Sequence, residues 1–105
     1  MAAYFIFSHT VIDADKLNND YLPRAIVTME PYELEILVVD QEIEVKEGDT
    51  DDDRTVVLKF VSREQALDWY HSEAYQAIIH LRQESTRGRA VLCDAFDLAA
   101  WQAQQ

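Results

Sequence analysis

Apolar positions along this chain follow two periods, and the switches between them mark out the elements. Ala3–Val11 carries Tyr4, Phe5, Ile6 and Phe7 in succession, a β-prone run suited to a buried strand. Asp13 then offers an N-cap, and Leu17, Tyr21 and Leu22 fall at i, i+4 and i+5 of a helix. Pro23 lacks a backbone donor, so the helix kinks or restarts there; Ile26, Val27 and Met29 continue it until Pro31. Leu34–Val39 predicts a second strand. Ile43 and Val45 alternate with Glu42, Glu44 and Lys46, which predicts a half-exposed extension or hairpin arm turning at Gly48 and the aspartates after it.

The second half is clearer. Thr55–Val61 is a strand of β-branched and aromatic residues, and Ser62 with Gln65 forms a capping box for the helix that follows. Ala66, Leu67 and Tyr70 face inward from it, and Ser72 caps the next helix. There Ala74, Ala77, Ile78 and Leu81 keep the i, i+3, i+4, i+7 spacing of a core stripe. Tyr75, Ile79 and Arg82 fall on a second stripe, displaced from the first. Gly88 is expected to stop the helix, and Ala90–Phe96 to close the sheet. The order is βαββαβ, which predicts an α+β ferredoxin-like sandwich with an antiparallel sheet. The whole of 1–105 reads as one domain, its core from about 3 to 96 and a short tail over 97–105.

Such a sandwich leaves one sheet face uncovered, yet the strands are apolar on nearly both faces. Strands buried on both sides need a second cover. A homodimer packed sheet to sheet supplies it, and two-fold dimers are the commonest assembly.

Charge narrows the partners. The net charge is −11 at pH 7, and eleven acidic residues stand between Glu30 and Asp53 against a single base, Lys46. Neither nucleic acid nor an anionic membrane surface is an expected partner, because both need clustered Lys and Arg. The run Asp49–Asp53 reads as a solvated loop; a cation site or a docking patch for a basic partner is the competing reading. Cys93 is alone, which rules out an internal disulfide and points to a reducing compartment. With no signal peptide visible at the N-terminus, the cytoplasm is the expected location.

Motifs for chemistry are few. Gly48 and Gly88 are the only glycines, so no glycine-rich phosphate loop exists, and no GxSxG elbow occurs. His9, His71 and His80 form no pair at metal-ligand spacing, and neither a metal nor a cofactor is expected. His9, late in the first strand, is placed to point into a sheet-face cavity. Cys93 reads as a small buried strand residue. Glu47 and Arg54 flank the acidic turn and read as a pair across it. Lys59 interrupts an apolar strand and shares a face with Val57 and Val61; Glu35 on the second strand is its expected neutralising neighbour.

These residues together resemble the uncharacterised bacterial family labelled domain of unknown function 1330, within the dimeric α/β-barrel superfamily. The resemblance runs from Tyr4 to about Asp94. It is carried by Glu47-Gly48-Asp49, Arg54, Phe60, Ala66, Trp69-Tyr70, Ser72, Tyr75-Gln76 and Leu81-Arg82. The chain departs from the family pattern at Glu30-Pro31 and Asp40-Gln41, where glycine pairs are usual, and at Glu73-Ala74, where a proline is expected. The resemblance implies the ferredoxin-like fold in a dimeric α/β-barrel assembly. That superfamily includes cofactor-free monooxygenases, isomerases, dehalogenase-like and haem-degrading enzymes, though fold kinship alone transfers none of these activities.

Two function classes follow. The first is a cofactor-free small-molecule enzyme of monooxygenase or isomerase type. Its pocket lies between sheet and helices, lined by Tyr70, Tyr75, Arg82 and His9, with Tyr75 and Arg82 as the ligand-binding residues. Arg82 holds an anionic or enolate-like oxygen, and His9 or Tyr70 moves the proton. The second is a non-catalytic dimeric module that binds a small ligand, or a protein through its acidic hairpin Glu42–Asp53.

Overall fold

The computed structural model describes residues 1–105, and its strands show the period-2 burial that the apolar runs only partly announce. In β1 (Ala3–Val11), Ala3, Phe5, Phe7 and His9 are buried while Tyr4, Ile6 and Ser8 lie on the other face. In β3 (Arg54–Phe60), Arg54, Val56, Leu58 and Phe60 take the buried side. With β2 (Leu34–Asp40) and β4 (Thr86–Asp94) these form a four-stranded sheet in the order β2-β3-β1-β4, every pair antiparallel. This is the ferredoxin-like α+β arrangement that the element order predicts. A bulge between Ile36 and Val38 interrupts β2, which is an edge strand.

The first helix is one piece with a fault in it. Asp13 accepts a hydrogen bond from the Lys16 amide at 3.0 Å, as a capping residue should. A π-helical turn then occupies Lys16–Tyr21, and α1 (Leu22–Met29) resumes with Pro23 in its first turn. The turn inserts its extra residue where Pro23 offers no amide, which is how the helix restarts without ending. It buries Leu17 and Tyr21 together; Ala25 and Thr28 are the buried residues of α1, while Ile26 and Val27 are exposed.

Ser62 caps α2 (Arg63–Tyr70) by accepting from the Gln65 amide at 3.2 Å. Ser72 does the same for the short α3 (Glu73–Gln76) through the Tyr75 amide. A break at Ala77-Ile78 separates α3 from α4 (Ile79–Ser85). That break overturns the predicted core stripe. Ala74 and Ala77 are exposed, and the buried residues are Tyr75, Ile79, Arg82 and Ser85, on the stripe expected to lie off the core. A four-residue helix does not propagate its phase across a break, and the large Tyr75 ring outweighs two alanine methyls in choosing what is buried.

Trp69, fully buried, centres the core. Its ring lies 4.1 Å from that of Tyr75 and 5.7 Å from that of Phe5, and its N–H donates to Thr28 Oγ1 at 3.0 Å. That bond satisfies the indole without breaking the apolar cluster.

Several other expectations are corrected. Ile43 and Val45 belong to no strand; residues 41–53 run as an irregular segment. Gly88 does not end a helix. It lies inside β4 directly opposite His9, with φ 144°, and a Cβ there would sit 2.1 Å from the Ser8 carbonyl oxygen. Only a residue without a side chain lets the two strands approach so closely. Cys93 is exposed, opposite Tyr4 on the outer sheet face. That face is less apolar than expected. Val38, Val57, Ile6 and Val91 line up across the four strands, but Ser8, Thr55 and Arg89 form the next row. The tail contains α5 (Leu98–Ala103), capped by Asp97. No helix is long and apolar enough to cross a membrane.

Candidate functional site

Strand alternation brings two arginines and a histidine into the core. His9 and Arg54 are register partners on adjacent strands, so both side chains lie on the helix-covered face. Arg82 reaches the same place from α4, passing over the Phe7 ring with its guanidinium carbon 5.1 Å from the centroid. Gly88 is the other register partner of His9, and its missing side chain lets β4 lie close against the Ser8 and His9 backbone.

The three groups interlock. Arg54 Nη1 is 3.3 Å from His9 Nδ1, and Arg82 Nη1 is 3.3 Å from His9 Nε2. Arg82 Nε donates to the Tyr75 hydroxyl at 3.3 Å, and the Tyr75 and Tyr21 hydroxyls lie 2.7 Å apart. His9 is 1% exposed, Arg54 2% and Arg82 7%. Neither arginine takes part in any of the four ion pairs of the molecule. Two buried guanidiniums therefore stand side by side with no carboxylate within salt-bridge distance. Buried charges are ordinarily paired, because leaving one uncompensated is strongly destabilising.

Hydrogen-bond bookkeeping sharpens the imbalance. A neutral imidazole accepts at one nitrogen and donates at the other, whereas a guanidinium only donates. With an arginine at each ring nitrogen, one of the two His9 contacts sets an N–H against an N–H. Arg54 Nε is buried with no acceptor at all. Burial, then the charges of Arg82 and Arg54, push His9 down to about 4, with Asp52 opposing, so it is neutral at pH 7. Burial also lowers Arg54, which still remains cationic at neutral pH. For Arg82 burial is again the largest cause and lowers the group, but the surrounding tyrosine oxygens, Tyr75 first and then Tyr21 and Tyr70, together outweigh it and raise the group. Burial, followed by its Tyr75 neighbour, raises Tyr21 above the ordinary phenol range.

The arginines line a cavity of about 140 Å³ between α1 and the β2–β3 side of the sheet. Ten of its twelve lining residues are hydrophobic, Phe7, Ala25, Val56 and Leu58 among them. A second, more polar hollow of about 270 Å³ meets His9 and Arg82 from the opposite side, alongside Tyr70, Gln83 and Thr86. No group of three or more His, Cys, Asp or Glu side chains is gathered to hold a metal.

Of the candidates read from the sequence, His9, Tyr75 and Arg82 are brought into one network. Tyr70 lies at its edge, stacked on Phe5 at 5.4 Å between ring centroids, and lines the polar hollow. Arg54 is the residue the sequence reading misplaced. It makes no pair with Glu47 and is among the most deeply buried side chains in the molecule. The signal was present: Arg54 continues the alternation of Val56, Leu58 and Phe60, which fixes it on the inner face. The acidic segment is not merely solvated either. Asp53 accepts from the Val11 amide at 3.0 Å, Asp52 from the Thr10 hydroxyl at 3.1 Å, and the Asp53 amide donates to the His9 carbonyl at 2.9 Å. Lys59 and Glu35 are register partners on the outer face, as expected, without closing to an ion pair.

The family described as Domain of unknown function (DUF1330) matches residues 2–96. The chain belongs to that family. No protein of curated function matches this DUF1330 domain in sequence. Among solved structures it is similar to RPA0582, a protein of unknown function from Rhodopseudomonas palustris, with a TM-score of 0.76 at 11% identity. That likeness covers 91% of this chain and 83% of the other. It is also similar to SnoaB, a cofactor-independent oxygenase from Streptomyces nogalater, with a TM-score of 0.64 at 10% identity, covering 91% of this chain and 94% of SnoaB. At such identities the likeness establishes that the DUF1330 domain shares their fold.

Proposed function

We propose that this protein is a homodimeric, cofactor-free small-molecule enzyme of monooxygenase or isomerase type, acting on an organic anion held against Arg54 and Arg82. One observation carries the reading: two buried guanidiniums, unpaired with any carboxylate, line an apolar cavity. Groups so placed hold negative charge that develops on a bound oxygen, and burial makes each contact stronger than in water. His9, which touches both guanidiniums but lines the polar hollow rather than the apolar cavity, is the base nearest the bound oxygen. It takes the proton that leaves the bound molecule, as its electron pair moves onto that oxygen, only once a ring nitrogen turns from its arginine. Burial is the first cause that holds His9 down and the two arginine charges the next; a ligand anion offsets the charges only. SnoaB, a cofactor-independent oxygenase of the same fold, supports the class of chemistry without identifying the substrate.

The apolar row Val38, Val57, Ile6 and Val91 supports a second copy packed on the outer sheet face. The lone, exposed Cys93 suits the reducing cytoplasm. Docking of a protein on the acidic segment draws less support, since Asp52 and Asp53 bond to the chain's own β1.

The test screens enolisable acids and phenols for oxygen uptake and for proton exchange in deuterated water, with wild type and Arg82→Met in parallel. Turnover that Arg82→Met abolishes, in a protein that light scattering finds dimeric, is the expected result. Ligands that bind without either reaction would make the protein a binding module instead.

A further inference from the structure

From the cavity we infer the class of molecule this site takes: an anionic oxygen head, carboxylate or enolate, on an apolar body about the size of one six-membered ring. This rests on the organic-anion reading above and adds size, polarity and orientation.

Size comes from the cavity of about 140 Å³. An engineered cavity of about 150 Å³ lined by aliphatic and aromatic side chains takes up benzene, so one ring fills this space and two do not. Polarity comes from the lining. Apart from Arg54, Arg82 and the Tyr21 hydroxyl, nothing on the walls makes a hydrogen bond, and that hydroxyl is engaged with Tyr75. A polar substituent on the ligand body would be buried without a partner there. The only charge complementarity is with an anion, since Arg54 and Arg82 both line the cavity and neither is paired with a carboxylate. Orientation follows from the positions of the groups. The arginines lie toward the middle of the sheet, Arg54 on β3 and Arg82 over Phe7 of β1, while Ile26, Ile36 and Val39, each about half exposed, line the edge-strand side. A hydrocarbon substituent opposite the charged head therefore leaves through an apolar mouth.

Isothermal titration of the full chain with benzoate, benzamide, acetate and 4-propylbenzoate tests this. Benzoate is expected to bind at least about ten-fold more tightly than neutral benzamide or small acetate, and 4-propylbenzoate more tightly still. Arg54→Met removes a charge and Ala25→Leu fills the cavity; each should weaken benzoate binding by at least about ten-fold, while the exposed Val27→Leu should not. Circular dichroism identifies any variant that has lost its fold, and either of the first two suffices. Equal binding of benzamide would remove the charge requirement, and equal binding of acetate the apolar body. Inorganic phosphate that displaces benzoate would move the site to the polar hollow beside Gln83 and Thr86. Each of these results overturns the inference. If benzoate fails but another anion binds in an Arg54-dependent way, the size assignment falls and the anion site stands. If no anion binds through Arg54, both fall.

Discussion

The burial of a neutral histidine between two arginines makes stability depend on pH in a way that one substitution isolates. In the unfolded chain His9 gains a proton near its ordinary 6.5; in the native protein it does so only at about 4. Between these values the unfolded state binds more protons, so the stabilisation is complete above about pH 6.5 and is lost as pH falls toward 4. A gap of about 2.5 units at about 1.4 kcal/mol each gives a total on the order of 3 kcal/mol. Carboxylates begin to titrate in the lower part of that range, so the cleanest window is about pH 6 to pH 5, where His9 alone removes about 1 kcal/mol. The assay is urea unfolding at several pH values for wild type and His9→Gln, which keeps a polar group and removes the titration. The exposed His71 and His80 are common to both proteins and cancel in the difference. Wild type should lose about 1 kcal/mol more than the variant across that window. Parallel curves would mean that His9 titrates alike in both states and that its contacts with Arg54 and Arg82 do not form.

Three further outcomes follow from the same geometry. Gly88→Ala places a methyl 2.1 Å from the Ser8 carbonyl oxygen at a φ that alanine rarely adopts, and should cost roughly 2–4 kcal/mol in urea unfolding. Asp53→Ala removes the acceptor for the Val11 amide and should cost about 0.5–1.5 kcal/mol, whereas Asp51→Asn, at an exposed side chain, should change stability by less than about 0.5 kcal/mol. Arg54→Met replaces an unpaired buried charge with an apolar chain of similar length, so its melting temperature should stay level or rise; a large drop would mean that the charge is compensated in the fold.

Where the sequence was legible, a local rule and the tertiary structure agreed. Ser62 and Ser72 cap helices because a hydroxyl before an amphipathic run satisfies an orphan amide in any context. Pro23 marked a helix fault for an equally local reason, the missing donor. The misreadings arose where a longer-range contact outweighed the local pattern. Gly88 read as a helix stop because glycine favours that position, but its use is the approach of β4 to Ser8 and His9, the latter 79 residues away in the chain. Ile43 and Val45 alternate like a strand, yet no partner strand pairs with them. For the site, Tyr75 and Arg82 were singled out by their displaced stripe and His9 by its place in β1. Arg54 was hidden by its charge, which drew attention to the acidic neighbours and away from the alternation that buries it.

The cavity's two sides are built from elements of unequal standing. His9 and Arg54 sit on β1 and β3, each hydrogen-bonded on both sides, and a change there disturbs two strands at once. Ile26, Ile36 and Val39 belong to the outward side of α1 and to the edge strand, where half-exposed side chains are replaced at small cost. Recognition of charge and recognition of shape are thus encoded in separable parts of the chain. Redesign of this protein for a new ligand can begin at three edge positions and leave the arginines as they are.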